Sequence, residues 1–414
     1  IQTINCQNCG NCTALITNWT AAFGDTLNLT ADITDYTGNC IDFQGHNGIT
    51  FDGSNHLING TGGGYAIYLI NTGGGCDWTT AKNAKIQESS QGVRAENSDN
   101  LTLHNLTIDD SNTEGIYISN MNTGEFTNIK IDTCGREGLE LSTASGILNI
   151  NNLTITNAPN AYPALYTSTP SSLTLNITVF NLSKNNEDGY RNNGGSGTMY
   201  FNDGYIKDNS DRGMYLIAGG PTYFLNNVTI TGSGDQGIYF TGTSNGEIKN
   251  CKITNNGDGG SEAGITFLSA VDNYNITNNN ITGNAPYDLN IDGTDCEGNL
   301  IWNNTFQNNN TMKDDDTDNN WNKTTGGNDW LFFNEPSEGC YDSNKDGICD
   351  DASILIPGEG TGEDEMPLFK GEYLTCGINI SSDYLMFHNL TCNGTAVNII
   401  KNNVNFNCKG YSLI

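Results

Sequence analysis

The chain has 414 residues, a formal net charge of −30 and only 15% charged side chains. Its four arginines, Arg94, Arg136, Arg191 and Arg212, are too few to form the cationic surface that binds nucleic acid or an anionic membrane. Thirteen cysteines and many Asn-x-Ser/Thr sequons point to an oxidising, extracellular cell-surface setting, where an acidic surface suits divalent cations.

The glycosylation candidates are Asn18, Asn28, Asn59, Asn100, Asn105, Asn152, Asn227, Asn275, Asn303 and Asn389. A chain this rich in Asn and Thr also makes sequons by composition alone. No apolar run is long enough to cross a bilayer, and the start at Ile1 reads as a processed form or a fragment.

Residues 1–38 read as an N-terminal cap or lead-in. They contain "CQNCGNC", which with Cys40 could hold iron–sulfur or zinc. The sequon at Asn11, the lack of a nearby His and the oxidising compartment favour disulfides.

Residues 39–318 carry a repeat. A small residue followed by alternating apolar residues recurs as "GIYIS" at Gly115, "GLELS" at Gly138, "ALYTS" at Ala164, "GMYLI" at Gly213 and "GIYFT" at Gly237, mostly at intervals of 23 to 27 residues. A second motif runs in phase: "NLTI" at Asn105, "NIKI" at Asn128, "NLTI" at Asn152 and "NVTI" at Asn227. Short alternating runs separated by Asn, Asp, Gly and Ser predict short strands and turns, with helices minor. The period is too short for the four strands of a propeller blade. It fits an all-β solenoid, a right-handed parallel β-helix, in which Asn stacks on Asn from coil to coil to satisfy buried turn amides.

Acidic residues precede many repeat strands: Glu114, Glu137, Asp188, Asp211, Asp235 and Glu262. A catalytic carboxylate pair could sit here, or a lyase site using Arg136 or Arg212. Against this, "GHNG" at Gly45 lies far from the "DD" at Asp109, and no Arg-x-Lys occurs. Arg136 and Arg212 therefore read as salt-bridged turn residues, whose replacement by Ala is expected to leave any activity intact. The four histidines are scattered, which disfavours copper.

Residues 319–370 form a Trp-containing closing segment with the loop "CYDSNKDGICDD". Oxygen ligands at positions 1, 3 and 5, glycine at 6 and a carbonyl at 7 follow the logic of calcium loops. That set is Asp342, Asn344, Asp346, the carbonyl of Ile348, and Asp350 directly or through water. Ser353 stands where a full EF-hand has its bidentate Glu, so the loop is closer to the thrombospondin type 3 or dockerin style. A solvated acidic turn is the plainer alternative. Cys340 and Cys349 flank the loop and are disulfide candidates, although spacing alone leaves their partners open.

Residues 371–414 restart the opening: "NGTAVNIIKNNVNFNCKGYSLI" resembles "NCIDFQGHNGITFDGSNHLING" some 355 residues earlier. They read as the start of a second β-helix module, whose open coil is expected to dock on another module or chain. The "NLTI…GIYI" ladder and the ending "NNWNKTTGGNDW…GEDEMPLF" resemble the pectate-lyase-like, NosD-type β-helix repeats of archaeal cell-surface proteins. That resemblance implies fold and surface location rather than activity.

Together these features suggest a non-catalytic, glycosylated, calcium-stabilised subunit that self-associates into an archaeal extracellular filament or surface layer, adhesive or protective. The hamus, a barbed filament, is one kind it would suit. The alternative is a β-helix lyase or hydrolase acting on acidic polysaccharide. A groove with Arg136 or Arg212 facing clustered carboxylates would mark the enzyme.

Overall fold

The computed structural model describes residues 2–18, 24–70, 76–159, 161–217, 219–260, 262–307, 309–371, 375–381, 384–386, 389–408 and 411–414. It is a parallel β-solenoid. Among these residues, a narrow sheet of twelve strands and a broad sheet of nineteen wind around one continuous core. Every pairing within both sheets is parallel, and register is kept from coil to coil, as between Ile116–Ser119 and Leu139–Ser142, except for a shift between Ile33–Tyr36 and Leu57–Gly60. No helix among the described residues is long and apolar enough to cross a membrane.

The second motif builds the broad sheet. In Leu101–Ser111, Leu103, Leu106 and Ile108 point inward and are fully buried or nearly so. The strand turns a corner at Asn105, which has φ 51° and is skipped in the pairing with Thr123–Cys134. The same left-handed corner recurs at Asn128, Asn152, Asn227 and Asn303. Asn adopts this region at lower cost than other side chains bearing a Cβ. Its amide then donates to the preceding corner: Asn105 to Asn83 at 2.9 Å, Asn152 to Asn128 at 2.9 Å and Asn227 to Asp203 at 2.7 Å. Corner Asn, inward Leu or Val, outward Thr: the coil itself writes Asn-x-Thr. The recurrence of sequons at Asn105, Asn152, Asn227 and Asn303 thus has a structural cause.

The first motif builds the narrow sheet, and its small residue is a packing requirement. A Cβ on Gly115 would lie 2.5 Å from Ile131 Cγ2 and 2.7 Å from the Gly138 carbonyl. Gly92 meets Ile108 in the same way, Gly138 meets Ile155 and Gly189 meets Ile206. The isoleucine ending each broad-sheet strand fills the corner.

Inside the turns run asparagine ladders, three of which end in an aspartate. In one, the Cys251 amide donates to Asn279 Oδ1, Asn279 donates to Asn304, Asn304 to Asn328, and Asn328 to Asp364. A second passes from Ser233 through Asn256 and Asn284 to Asp288. The third passes from Tyr274 through Asn299 and Asn319 to Asp314. In these three the rungs donate onward and the last member accepts, a role a carboxylate suits, and each ends in a fully buried Asp. The ladder from Ala158 through Asn185 instead ends at Asn209, whose amide donates to the Leu182 carbonyl. Trp321 and Trp330, both buried, close the end of the core against Phe306.

The lead-in contains one feature the repeat pattern did not announce, the helix Cys9–Asn18. Asn8 caps it, its side chain accepting from the Asn11 amide at 2.9 Å. Disulfides Cys6–Cys12 and Cys9–Cys40 tie the helix to the first coils. Cys340–Cys349 and Cys376–Cys392 are also bonded, while Cys408 is unpaired and half-buried. The unpaired Cys76, Cys134, Cys251 and Cys296 are buried, and burial pushes their thiols up to about 12, which leaves them unreactive.

In the C-terminal stretch, Tyr384 pairs with Phe406 and Leu390 with Leu413, in parallel. The opening coils show the same arrangement, with Leu27 on Phe51 and Ile33 on Ile58. Phe369, Cys340 and Cys349 pack with Tyr341, Tyr384 and Tyr411, so the acidic loop sits against these coils.

Candidate functional site

All four arginines of the chain lie on or beside the outer face of the narrow sheet. Its outward residues stack in register as Arg94, Tyr117, Glu140, Tyr166, Arg191 and Tyr215. Arg94 lies over the rings of Tyr65 and Tyr117, with its guanidinium carbon 5.2 and 4.9 Å from their centroids. Arg191 lies over Tyr215 at 5.4 Å. From the adjoining turns, Arg136 covers Tyr162 at 4.9 Å and Arg212 covers Tyr215 at 4.3 Å. Stacking holds each guanidinium in a fixed orientation while its edges remain free to bond.

Two carboxylate clusters face these arginines. In the first, Glu114, Glu137 and Glu140 bring one oxygen each within 4.8 Å of one another. Arg136 bonds Glu114 at 2.7 Å and approaches Glu137 at 3.5 Å. At that longer contact, Arg136 Nε and Glu137 Oε2 are buried and neither has a hydrogen-bond partner. The second cluster joins Glu187, Asp188 and Asp211. Arg191 donates to Asp188 at 2.6 Å and also meets Glu187. Arg212 reaches Asp188 at 3.6 Å, Asp211 at 3.3 Å and Asp235 at 3.3 Å.

Burial, reinforced by the Glu137 and Glu114 charges, pushes Glu140 up to about 7. Burial raises Glu137 as well, and outweighs Arg191 and Arg212 to bring Asp188 to about 6. Asp235 reaches about 6 for the same reason, with Asp211 adding repulsion. Glu140 can therefore give or take a proton near neutrality. These shifts also govern stability. A carboxyl with a raised folded pKa holds its proton more tightly folded than unfolded, so its contribution is complete below the unfolded value and lost as pH rises through the folded one. The unfolded values are 4.5 for Glu140 and 3.8 for Asp188. The thermal midpoint is thus expected to fall between pH 5 and pH 8, and to fall less in an E140Q/D188N double variant. An equally steep fall in that variant would place the dependence elsewhere.

The structure brings together Glu114, Glu137, Asp188, Asp211 and Asp235 with Arg136 and Arg212, residues the sequence had singled out as recurring strand-leading acids and salt-bridged turn arginines. Glu140, Tyr117 and Tyr166 had escaped notice, and Arg94 and Arg191 had been counted without being placed in a site. The signal for them was the first outward position of each narrow strand.

The acidic loop is built differently. Asp342 is fully buried and accepts from the amides of Lys345 at 2.6 Å and Gly347 at 2.7 Å. Asn344 accepts from Asp346 at 2.9 Å, Asp346 from Ile348 at 3.0 Å, and Asp350 from Ser343 at 2.6 Å. These short-range turns draw the side-chain oxygens onto amides of the loop, and the donor set of carboxylates, amide and carbonyl is of the kind calcium takes.

The model of the right-handed β-helix region matches residues 4–176, 65–228 and 216–314. No curated protein matches the chain. Among solved structures, the A-module of the mannuronan C-5 epimerase AlgE6 of Azotobacter vinelandii is 14% identical, with 72% of this chain and 89% of that chain covered and a TM-score of 0.50. The AlgE4 A-module of the same organism is 17% identical, covers 69% and 78%, and has a TM-score of 0.42. A mannuronic acid-specific polysaccharide family 6 lyase from human gut microbiota is 9% identical, covers 77% and 82%, and has a TM-score of 0.48.

At these identities the likeness shows the fold. The expectation of a non-catalytic chain is nonetheless corrected here: the AlgE6 A-module, alike in fold, is named as an epimerase, and Arg136 and Arg212 face clustered carboxylates. With the family model spanning most of its length, the chain belongs to the right-handed β-helix family.

Proposed function

We propose that the chain is a carbohydrate-active enzyme that acts on an acidic polysaccharide laid along the outer face of the narrow sheet. The observation that carries this reading is the placing of all four arginines of a −30 chain on that one face, interleaved with tyrosines. Tyr166 offers a flat apolar surface to a sugar ring, while the rings of Tyr117 and Tyr215 hold the arginines in place. Arg136 neutralises a uronate carboxylate, which acidifies the neighbouring ring carbon. Glu140, poised near 7, takes the proton from that carbon as the neighbouring C–O bond breaks and a C=C double bond forms, the departing glycosidic oxygen taking a proton from water. Elimination suits this site better than inverting hydrolysis, because the carboxylates of the first cluster stand within 4.8 Å of one another. An inverting pair needs about 6.5–9.5 Å to admit its water. Mannuronan and alginate, the polymers named for the solved neighbours, are the first substrates to try. Incubation with polyuronates should yield the unsaturated product, read by its ultraviolet absorbance. If neither chain shortening, unsaturation nor epimerisation occurs on any polyuronate, this reading fails.

An extracellular setting is proposed with it, supported by the four disulfides. Calcium bound by Asp342, Asn344, Asp346, Ile348 and Asp350 would fasten the closing segment to the C-terminal coils, against which the loop packs. Chelation is then expected to lower the thermal midpoint and to expose the region around residue 340 to protease. A midpoint and cleavage pattern identical with and without chelator would rule the fastener out.

A further inference from the structure

After each asparagine corner the broad sheet turns a second face to solvent, with two outward residues per coil. Asp109 and Asp132 stand in these rows in two early coils, and Asp329 stands there in the last. In the coils between, from Thr154 to Thr282, neither row holds a carboxylate. The outward residues there are Thr, Ser, Asn, Lys and Tyr. On a chain of net charge −30 this is a strip from which acid is missing.

Two grooves open on the strip. The larger, about 620 Å³, is lined by Asn181, Lys184, Tyr205 and Lys207, with Asp208 at its rim. The smaller, about 390 Å³, is lined by Lys252, Gln307 and Leu331. One coil separates them, and its outward pair is Thr229 and Thr231. Tyr205 is 57% exposed and Leu331 49%. Lys184, Lys207 and Lys252 are all exposed. Among the described residues, the Tyr205 ring stacks on nothing, and Lys184 and Lys252 have no ion pair. Lys207 meets Asp208 at 3.5 Å, with both side chains about half exposed, so that pair is worth little and yields to a competing anion.

We propose that this strip holds a chain of anionic polysaccharide along the solenoid axis, its acid groups on Lys184, Lys207 and Lys252 and a sugar ring on Tyr205. A lysine ammonium is a compact point charge, which pairs with a carboxylate or a sulfate ester alike. The rest of so acidic a surface repels a polyanion, and here that repulsion is replaced by attraction. Tyr205 supplies a flat apolar surface for one ring. Thr and Asn recur once per coil, at about 4.8 Å, and offer hydroxyl and amide partners to a polymer of repeating units. The strip lies on a different face from the arginines. It retains the polymer rather than reacting with it, and the inference stands whether or not the narrow sheet cleaves the same chain.

Asn181 and Asn280 each open a sequon, so the test uses protein made without glycosylation. Lysines are acetylated in the presence of alginate, dextran sulfate or uncharged dextran, and the rate at each is read by mass spectrometry. At least one polyanion should slow the reaction of Lys184, Lys207 and Lys252 roughly tenfold. Lys370 and Lys401, exposed elsewhere, should keep their free rates, and dextran should protect none. Protection by alginate alone assigns a carboxylate as the recognised group, and by dextran sulfate alone a sulfate ester. Tyr205→Thr gives this coil the residue its neighbour carries at Thr229, so it should reduce protection without moving the thermal midpoint. Protection is read without any product forming, so holding and cleavage stand or fall separately. The proposal is overturned if the three lysines react equally fast with and without both polyanions, or if dextran protects them as well. Equal protection of Lys370 and Lys401 would overturn it too, as would undiminished protection in Tyr205→Thr.

Discussion

Arg136→Ala is expected to lower kcat/KM on an acidic polysaccharide by about 10²–10³-fold, the loss typical when one preorganised charge is removed from a developing anion. The fall should appear mainly in kcat, because a neutralised carboxylate matters most as the adjacent carbon gives up its proton. Reading Arg136 as an inert turn residue predicts the opposite, full activity. The substitution also strips the partner from Glu114 and Glu137, which are 2% and 4% exposed. Removing one side of a buried pair costs about 3–5 kcal/mol when the remaining charge cannot escape. Here it can, since a carboxyl may take up a proton, and stability should recover as pH is lowered. Assays are therefore best run near pH 6 with the folded fraction measured alongside. Arg136→Lys keeps the charge without the planar fork and should fall between the two. A folded Arg136→Ala protein with undiminished turnover would remove Arg136 from the mechanism.

The solenoid was legible because its physics repeats. Each coil solves the same packing problem, so Gly115, Gly138 and Gly213 recur before each narrow strand, and Asn105, Asn128 and Asn152 recur at each corner. The acids before the strands were visible for the same reason. What the repeat hid was the site, because function here lives in departures from the pattern. The first outward position is Tyr in Tyr117, Tyr166 and Tyr215, but Glu in Glu140 and Arg in Arg94 and Arg191. Each substitution is silent to the fold, which asks only that the position face outward. The mutual arrangement of Glu114, Glu137 and Glu140 depends on stacking across coils 23 residues apart, which single-strand reading does not supply. The helix Cys9–Asn18 was missed because ten residues held by two disulfides need no strong periodicity of their own.

The end of the longest asparagine ladder should be the most sensitive point of the fold. Asp364 is fully buried and accepts from the Asn328 amide at 2.7 Å, the Trp330 indole at 2.9 Å and the Met366 amide at 3.1 Å. Asp364→Ala leaves these donors in the interior without an acceptor, at about 1–3 kcal/mol for each unsatisfied group. They belong to one network, so the sum is not simple, and a total loss of about 3–5 kcal/mol is expected from the urea midpoint. Damage should travel backward along the ladder, because Asn328 holds Asn304 and Asn304 holds Asn279. Faster amide exchange at those rungs would report it. Asp364→Asn keeps one acceptor oxygen but adds two donors with nowhere to go, so it should also destabilise, though less. Burial pushes Asp364 up to about 6, and its stabilising contribution is lost as pH rises through that value. The Asn variant should therefore show a shallower fall in stability between pH 5 and pH 7 than the parent. If Asp364→Ala unfolds at the parent's urea concentration, the ladder does not depend on its carboxylate end.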